Sequence, residues 1–427
     1  MGTKRVIVND PIHGFIRLDR FDVISEVITT PEFQRLRRIS QLGTSSLVYP
    51  GATHSRFSHS LGAMSMMERA LDMLRKVGGL DVPNFDEFQE VGTLAALLHD
   101  VGHGPLSHVS EKFLGFQHED ISAQIIKQSN ISDILKAKGV QPQRIINIIQ
   151  HTAPDEDKLL SQLVSSQLDV DRLDYMARDS YFTGVGFGNV DLERIINMLR
   201  IFNGAGDLNK HALTMFKGRH SIESYLLGRH LMYQAVYFHK ASRGAEKLLA
   251  NAFRRAAEAK ELPEEYAFLY KKLPPTAEEL LSLDDHSVAT ALKHWCMSKD
   301  KILAELCDRF SNRKLLKAIE LSPKKLNEHL ESVVKFQELA RRNGIDPDFL
   351  CPIDGPSDTP YTPYTIKSPD DKTTVTRNIF VYDEDEKAKE ISQISEVVRA
   401  LAKTDYLNRL YVPEGFRSEA EAHLFKK

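Results

Sequence analysis

The spacing of apolar residues along the chain predicts a mainly α-helical protein. Apolar positions recur at helical spacing over residues 55–76, 86–100, 118–150 and 159–180, and again from about residue 221 to residue 260. Several shorter, charged helices are predicted between residues 264 and 345. Residues 5–18 depart from this pattern and predict two short strands around an Asn-Asp-Pro turn, which is a short N-terminal β-hairpin.

The C-terminal part of the chain has a different composition. From residue 351 onward Pro, Thr and Asp become more frequent. A strand over residues 372–382, a helix over 386–402 and a strand over 406–412 predict a small α+β segment. The expected organisation is therefore a core of residues 1–260, a helical support region of residues 261–350 and an α+β segment of residues 351–427.

The most informative stretch of the sequence runs from Leu94 to His108. An apolar run ends at His99 and Asp100, and two glycines and a proline then stop the helix. A buried helix that presents adjacent His and Asp side chains at its end is typical of a metal site, because nitrogen and carboxylate ligands suit Mn, Fe, Zn or Mg. His103 would share the face of His99 if the turn stays helical.

Composition excludes several other classes of protein. The net charge of -3 and the pI of about 6.6 do not favour nucleic acid as the main partner. Three scattered cysteines without a CxxC pair indicate neither a disulfide framework nor a thiolate zinc site. We find no signal peptide and no apolar run of about 18 residues, so we expect a cytoplasmic location and no membrane span.

Four side chains are candidate metal ligands: His59, His99, Asp100 and Asp171. Taken alone, His59 is better explained as a core or surface histidine of its helix, and Asp171 as a solvated carboxylate. Asp171 belongs to a polar stripe that Tyr175 and Asp179 continue at intervals of four residues. Only the joint pattern of these positions favours a shared site.

The joint pattern resembles the HD-domain phosphohydrolase superfamily, whose signature is H…HD…D. More narrowly, it is similar to the deoxynucleoside triphosphate triphosphohydrolase (dNTPase) branch, both in bacteria and in the catalytic core of the animal SAM-and-HD-domain dNTPase. The resemblance covers roughly residues 5–260 and rests on these motifs: Asn9–Gly14, Phe33–Arg37, Gln41–Gly43, Pro50–Ala52, His54–Gly62, His99–His108, Asp169–Asp179 and Tyr237–Lys240. It implies a helical HD phosphohydrolase core over residues 1–260.

The resemblance implies roles for the residues near the metal. His59, His99, Asp100 and Asp171 would bind a divalent ion, which could be Mn, Fe, Mg, Zn or Ni. The catalytic group would consist of His103, Glu111 and His118, with His108 as a further proton donor. Glu111 stands where the animal enzyme has Asp, which makes its pairing with histidine less certain. A structural or helix-capping role explains His108 equally well.

The resemblance also implies a set of substrate contacts. Arg56, Arg172 and Arg229 would bind the triphosphate, and Arg172 stands where the animal enzyme has Lys. Tyr175 would bind a phosphate oxygen. Tyr237 would stack on the sugar and exclude a 2′-hydroxyl. The remaining contacts would come from Gln41, Leu42 and Asp179, around the 3′-hydroxyl and C2′, and from Tyr233, which shares a helix face with Arg229 and Tyr237. No residue is an obvious reader of the base, so we expect broad base tolerance.

Members of this branch often form dimers or tetramers that bind activating nucleotides between subunits. Val8, Asn9, Gln34 and Arg37 match parts of that regulatory site. The position of the guanine-reading Asp is Thr29 here, and one hydroxyl does not offer the paired acceptors that guanine needs. Activation by GTP is therefore doubtful, whereas allosteric activation of a homo-oligomer, such as a homotetramer, by a dNTP remains open.

The function that we expect is metal-dependent hydrolysis of dNTPs at the α-phosphorus, which yields deoxynucleoside and tripolyphosphate. Two alternatives stay open at this point. One is another HD-superfamily phosphohydrolase, a nucleotidase or a phosphodiesterase, and the other is a non-catalytic nucleotide sensor or nucleic-acid-binding scaffold. The sequence does not identify the native metal, the preferred base or the activator.

Overall fold

The computed structural model describes residues 6–202, 212–271, 274–322, 326–362, 378–382 and 388–425. Most of these residues are helical, which confirms the predicted fold class. The first half of the chain contains α1 (Asp22–Ile28), α2 (Pro31–Gln34), α3 (Arg56–Met73), α4 (Phe85–Leu98), α5 (His108–Leu114), α6 (His118–Gln128), α7 (Asn130–Ala137), α8 (Pro142–Ile149), α9 (Lys158–Val164), α10 (Val170–Thr183) and α11 (Leu192–Asn197).

The second half of the chain is helical in shorter pieces. Its helices are α12 (Arg219–Met232), α13 (Lys240–Ala259), α14 (Ala277–Leu281), α15 (Asp285–Trp295), α16 (Lys301–Ser311), α17 (Leu326–Arg342), α18 (Pro347–Leu350), α19 (Ile391–Ile394), α20 (Glu396–Ala400) and α21 (Arg417–Leu424). No helix among the described residues combines the length and the apolar character that crossing a membrane requires.

Short strands form four small sheets within the described ranges. The strands are β1 (Ile7–Asp10), β2 (Gly14–Arg17), β3 (Leu199–Phe202), β4 (Ala212–Phe216), β5 (Lys317–Leu321), β6 (Ile353–Asp354), β7 (Ser357–Asp358), β8 (Phe380–Tyr382), β9 (Ala388–Glu390), β10 (Asp405–Tyr406) and β11 (Asn408–Val412). Strands β1 and β2 pair in antiparallel register, with Asp10 opposite Gly14. The predicted N-terminal hairpin is thereby confirmed.

The C-terminal strands pair with strands from earlier parts of the chain. One sheet has the order β3-β4-β8-β9, with β4 and β8 parallel, and another has the order β5-β11-β6. The first sheet crosses both predicted boundaries, at residues 260 and 350, and the second crosses the one at 350. The division into three segments remains a prediction, but the α+β character of the last segment agrees with these sheets.

Three predicted elements differ in the structure. The predicted helix 221–260 is wrong, because α12 passes into a π-helical turn at Tyr233–Tyr237 and a new helix begins after His239, whose side chain accepts the Ala241 N–H at 3.2 Å. The predicted helix 386–402 is wrong at its start, because β9 pairs with β8 there. Strand β5 interrupts the region 264–345, since it pairs with β11.

One predicted strand lies partly outside the described residues. The strand expected over residues 372–382 is present as β8, whereas residues 372–377 lie outside the described residues. In each case that differs, pairing with another strand or capping by a side chain overrides the local helical pattern.

Helix α4 forms the centre of the hydrophobic core. Its last five residues, Leu94–Leu98, are fully buried, and α3, α8 and α9 pack against the helix. One continuous cluster of buried side chains extends from the N-terminal hairpin to Tyr411 in β11. The buried helix ends one residue before His99, so its burial places the His-Asp pair inside the protein.

Helices α3 and α10 approach each other closely at Gly62. A Cβ atom at this position would overlap the Asp174 carboxylate and would lie 2.5 Å from Arg178 Nη2. Both side chains are fully buried and hydrogen-bonded, so neither can move away without loss of its partners. The absence of a side chain at residue 62 is therefore required by the packing.

We expect Gly62→Ala to destabilise the fold, although alanine is the better helix former, because the added methyl group displaces the buried carboxylate. The expected loss is about 1–3 kcal/mol in the free energy of unfolding. Urea denaturation would measure it, with Ser65→Ala on the partly exposed face of α3 as the control. Equal midpoints for Gly62→Ala and the native chain would contradict this account of the packing.

Candidate metal centre and active-site cavity

The four candidate ligands converge at one point. His59 lies on α3, His99 and Asp100 follow α4 directly, and Asp171 lies in the first turn of α10. His59 Nε2 is 3.3 Å from an Asp100 oxygen and 3.1 Å from Asp171 Oδ1. His99 Nε2 is 3.3 Å and 3.6 Å from oxygens of the same two carboxylates. Helix α4 ends at Leu98, and His99 and Asp100 nevertheless lie close to the other two ligands.

Hydrogen bonds to the far side of each imidazole fix which nitrogen faces this point. His59 Nδ1 donates to Asp174 at 2.7 Å, and His99 Nδ1 donates to the Ala96 carbonyl at 2.8 Å. The two Nε2 atoms are buried and have no hydrogen-bond partner among the described residues. Two imidazole nitrogens beside two carboxylates fit a divalent cation, because carboxylate or carbonyl acceptors on the far nitrogen commonly orient metal-binding histidines.

The electrostatics of the centre favour a cation. Burial opposes a charge on His59, but Asp100, Asp171 and Asp174 outweigh it and raise the pKa of the imidazole well above its usual value. Burial also disfavours a charged Asp171, but the adjacent imidazoles of His59 and His99 hold the pKa of that carboxyl low. Carboxylates that attract a proton to this point would attract a metal ion equally.

A buried ionic network supports His59 from behind. Arg178 donates to both oxygens of Asp174 at 2.9 Å and to Asp10 at 2.8 Å, and His13 Nε2 contacts Asp174 Oδ1 at 2.6 Å. Burial opposes charge on Asp174, but Arg178 and the histidines keep its pKa well below the usual range. This network was not predicted from the sequence. The spacing of Asp174 and Arg178 on α10 was a signal for it, but their burial was not visible.

A second group of side chains lies next to the metal centre. His103 Nε2 is 3.2 Å from Asp100 Oδ1, and His103 Nδ1 is 3.2 Å from Glu111 Oε1. His118 stacks on His103 at 3.9 Å between ring centroids, and its Nδ1 is 3.2 Å from the same glutamate oxygen. His108 Nδ1 reaches that oxygen at 2.8 Å. The structure thus brings all four predicted catalytic residues together.

The charge states in this group differ from residue to residue. Burial, the positive charge of Arg56 and that of His118 lower the pKa of His103 to about 3. Burial opposes protonation of His118 as well, but Glu111 raises its pKa. Glu111 is itself held charged, because the three adjacent histidines lower its pKa despite burial. The group therefore holds one neutral histidine beside a histidine–carboxylate pair.

Arg35 is a buried residue that holds the backbone of this loop. Its Nη1 donates to the His103 carbonyl at 2.8 Å and its Nε to the Leu283 carbonyl at 2.7 Å. Burial lowers the pKa of the guanidinium to about 10. Arg35 thus joins the loop after α4 to the segment that precedes α15. Arg35 belongs to the motif Phe33–Arg37, but no role for it was predicted from the sequence.

Asp285 is a second support that the sequence analysis missed. Its two oxygens accept the Leu106 N–H at 2.7 Å and the Ser40 N–H at 2.9 Å. Leu106 and Ser107 have positive φ angles of 56° and 57°, which side-chain-bearing residues rarely adopt. The carboxylate at the start of α15 therefore helps to stabilise a strained turn beside His103.

The metal centre opens into a cavity of about 800 Å³. This volume lies in the range of small-molecule sites. The predicted residues that line the cavity are Gln41, Leu42, Arg56, His99, Asp100, His103, His108, His118, Asp171, Arg172, Tyr175, Asp179, Tyr233 and Tyr237. His59 is buried beneath its wall.

The predicted phosphate-binding cations differ in their surroundings. Arg56 is buried, pairs with Asp100 and donates from Nε to Ser107 Oγ at 2.8 Å. Arg172 pairs with Asp169, whose carboxylate also caps α10. Arg229 does not line the cavity as the described residues form it. Its Nη1 donates to the Pro360 carbonyl at 2.5 Å, and its guanidinium lies 4.8 Å from the Tyr233 ring centroid.

The predicted sugar-binding residues form one connected group. Asp179 is buried and accepts hydrogen bonds from His54 and from the Tyr237 hydroxyl, both at 2.7 Å. The Tyr237 ring lies edge-on to Tyr175, with 6.1 Å between centroids. Gln41 Oε1 is buried without a hydrogen-bond partner among the residues that the structure describes. A ligand hydroxyl in the cavity could donate to that oxygen.

The predicted regulatory residues lie away from the cavity. Val8 and Asn9 are in β1, and the Gln34 amide donates to the Ile28 carbonyl at 2.7 Å. Arg37 donates to Gln34 Oε1 at 2.8 Å, and its guanidinium lies 3.6 Å from the Phe57 ring centroid. Thr29 donates to the carbonyl of Glu26 at 2.7 Å. These positions neither line the cavity, within the described parts of the chain, nor contact the metal centre.

Two family models match the chain. Residues 56–179, which include all four candidate ligands, match the HD domain, and residues 190–422 match the HD-associated region. The uncharacterized protein YwfO of Bacillus subtilis is 34% identical over 99% of this chain and 95% of its own length. The crystal structure of a phosphohydrolase from Bacteroides thetaiotaomicron superposes with a TM-score of 0.77 at 31% identity, and covers 96% of this chain and 100% of that one.

More distant similarity links the chain to deoxynucleoside triphosphate triphosphohydrolases. The SAMHD1 homolog of Dictyostelium discoideum is 31% identical over 58% of this chain and 49% of its own length, and SAMHD1 of Bos taurus is 28% identical over 58% and 47%. The chain therefore spans about half the length of these relatives. On the two family matches and the full-length similarities, this chain belongs to the HD-domain family of phosphohydrolases.

Proposed function

We propose that this protein hydrolyses dNTPs at the α-phosphorus to give deoxynucleoside and tripolyphosphate. The observation that carries the proposal is the convergence of His59, His99, Asp100 and Asp171 at the wall of a cavity that also contains arginines and a histidine–carboxylate group. The similarity to proteins named deoxynucleoside triphosphate triphosphohydrolase supports this substrate class.

The four ligands would hold one divalent metal ion. When bound, such an ion polarises a phosphoryl oxygen and lowers the pKa of water. His59 and His99 supply nitrogens whose orientation Asp174 and the Ala96 carbonyl set. Nitrogen and carboxylate donors suit Mn, Fe, Mg, Zn or Ni, and the donor set does not choose among them.

Charged and polar side chains along the cavity would bind the triphosphate. Arg56 is positioned between the metal ligand Asp100 and the turn at Ser107, so its charge lies next to the metal centre. Arg172 and Tyr175 follow Asp171 on α10 and line the same cavity. Arg229 would act through its contact with Tyr233, or would have to leave the Pro360 carbonyl to reach phosphate.

Hydrolysis forms a bond from a water oxygen to the α-phosphorus and breaks the bond to the 5′-oxygen. The leaving oxygen must gain a proton, and the attacking water must lose one. His103 lies next to Asp100, and Glu111 holds His118 and His108 within hydrogen-bond distance. We assign the proton transfers and the stabilisation of charge to this group.

The connected group around Asp179 would select the sugar. Tyr237 is held by its hydrogen bond to Asp179, so its ring has a fixed position at the cavity wall. A ring there would leave no room for a 2′-hydroxyl, whereas Gln41 and Leu42 would contact the deoxyribose. Asp179 would orient both Tyr237 and the neighbouring 3′-hydroxyl of the sugar.

Regulation by nucleotides is part of the proposal. Val8, Asn9, Gln34 and Arg37 would contribute to a nucleotide site between subunits of a homodimer or homotetramer. Thr29 does not provide the acceptors for guanine, so a dNTP is the favoured activator. Residues 1–260 would carry the catalytic core, and residues 261–427 would support it and form oligomer contacts.

Product analysis in ¹⁸O-labelled water tests the reaction. With Mn²⁺ or Mg²⁺, the native protein should convert each dNTP, alone or in a mixture, to deoxynucleoside and tripolyphosphate, with the label in the tripolyphosphate. Asp171→Ala should lose at least about 100-fold of the rate, because it removes a ligand. Deoxynucleoside monophosphate with pyrophosphate would indicate another phosphohydrolase activity. No turnover in any mixture would indicate a sensor.

Asp174→Asn should weaken metal binding although Asp174 is not itself a ligand. The asparagine amide carries no negative charge, so its hydrogen bond with the His59 Nδ1–H would be weaker. Metal affinity should therefore fall by about 10–100-fold. Titration of the metal-free protein with Mn²⁺, followed by electron paramagnetic resonance, would measure this. Asp133→Asn, on the exposed face of α7, is the control. Unchanged affinity in Asp174→Asn would refute the orienting role.

Replacement of Tyr237 tests the selection of deoxyribose. Tyr237→Ala should lower the ratio of kcat/KM for a dNTP to that for the matching NTP by about 10-fold or more, because it opens space beside C2′. Tyr237→Phe keeps the ring and loses only the hydrogen bond to Asp179, so it should retain most of the preference. An unaltered preference in Tyr237→Ala would exclude this residue as the sugar gate.

A further inference from the structure

A second cluster of metal-binding atoms lies beside the four proposed ligands. The Nδ1 atoms of His103, His108 and His118 lie 3.2 Å, 2.8 Å and 3.2 Å from one carboxylate oxygen, Glu111 Oε1. The four ligand atoms lie within 4.8 Å of one another. Three imidazole nitrogens thus surround one carboxylate oxygen in a group compact enough to hold a metal ion.

Hydrogen bonding alone does not satisfy this arrangement. A carboxylate oxygen has two lone pairs, and His108 and His118 already form hydrogen bonds with Glu111 Oε1. His103 is fully buried, and neither of its ring nitrogens has a hydrogen-bond partner within the described ranges. A buried nitrogen without a partner is costly. A cation between the four atoms would satisfy it, because every one of them could then be a ligand.

The spacing of the ligand atoms agrees with a small transition-metal ion. Zinc–nitrogen bonds of about 2.0–2.1 Å in a tetrahedral site place neighbouring ligand atoms roughly 3.3 Å apart. The distances from Glu111 Oε1 to the nitrogens are 2.8–3.2 Å, so each of these pairs reaches that spacing with a shift of a few tenths of an ångström. The most exposed ligand, His108, can supply that shift, since 62% of its side chain is accessible.

We propose that His103, His108, Glu111 and His118 form a second metal site, which binds a transition-metal ion such as Zn²⁺ and inhibits the enzyme when it is occupied. Neutral imidazoles with one carboxylate prefer Zn²⁺, Co²⁺ or Ni²⁺ over Mg²⁺, which takes oxygen ligands. An ion enters from the active-site cavity, because His108 and His118 line it.

The site would inhibit because it uses the groups that transfer protons. An ion bound to His103 Nδ1 and Glu111 removes both from acid–base chemistry, while His103 Nε2 still faces Asp100. His103 would then connect the two metal centres through its ring. The binding of the ion rests on geometry alone, whereas the inhibition rests on the proposed hydrolysis.

Counting bound metal tests the site without reference to activity. The full-length metal-free protein would be titrated with Zn²⁺, and with Co²⁺ as a spectroscopic probe, and the bound ion counted by mass spectrometry after gel filtration. We expect two equivalents in the native protein, one in His108→Ala and one in Asp171→Ala. His220→Ala, which alters an exposed histidine on α12, should still bind two. The cobalt absorption that disappears in His108→Ala belongs to the second site. The same absorption should therefore remain in Asp171→Ala.

Glu111→Gln provides a second variant, which should also bind one equivalent. One equivalent in the native protein, or two in both His108→Ala and Glu111→Gln, would overturn the proposal. Inhibition is measured separately: Zn²⁺ added to the Mn²⁺-loaded native enzyme should lower dNTP hydrolysis by at least 10-fold. Whatever activity His108→Ala retains without Zn²⁺, addition of Zn²⁺ should change it by less than twofold. If no dNTP is hydrolysed at all, the metal counts still decide whether the second site exists.

Discussion

The arrangement of the candidate metal centre depends on one buried carboxylate, that of Asp174. It receives hydrogen bonds from His59, His13 and Arg178, and Arg178 in turn binds Asp10. Removing a partner from such a network leaves an unpaired charge in the interior, which costs about 3–5 kcal/mol. The network thus joins α3, α10 and the N-terminal hairpin, and it sets the orientation of a metal-binding histidine at the same time.

Much of the fold could be predicted from local patterns. The apolar spacing identified the helical class, the hairpin and the helix that ends at the His-Asp pair, because these elements depend on contacts close in sequence. The break after Tyr237 and the strands β5 and β9 could not be predicted. The break depends on a capping side chain, β5 on pairing with β11 in the C-terminal segment, and β9 on pairing with β8 a few residues before it, and the spacing of apolar residues records none of these contacts.

The candidate site likewise has a part that could be predicted from the sequence and a part that could not. The four ligand positions followed from motif spacing together with a family resemblance, and the structure places the Nε2 atom of each histidine 3.1–3.6 Å from oxygens of both carboxylates. The residues that support them did not follow, since Arg35 and Asp285 act on backbone groups. A carboxylate that accepts a hydrogen bond from a peptide N–H does not need a charged partner residue. The sequence therefore does not indicate which backbone group it contacts.

The contacts of Arg35 and Asp285 have a consequence for how the two family regions can be combined. The loop that carries His103 belongs to the HD domain, but the Leu283 carbonyl and the Asp285 carboxylate that hold it belong to the HD-associated region. The HD domain is therefore not an interchangeable module. A chimera that joins it to the associated region of another member would inherit a working loop only if both anchors came with it.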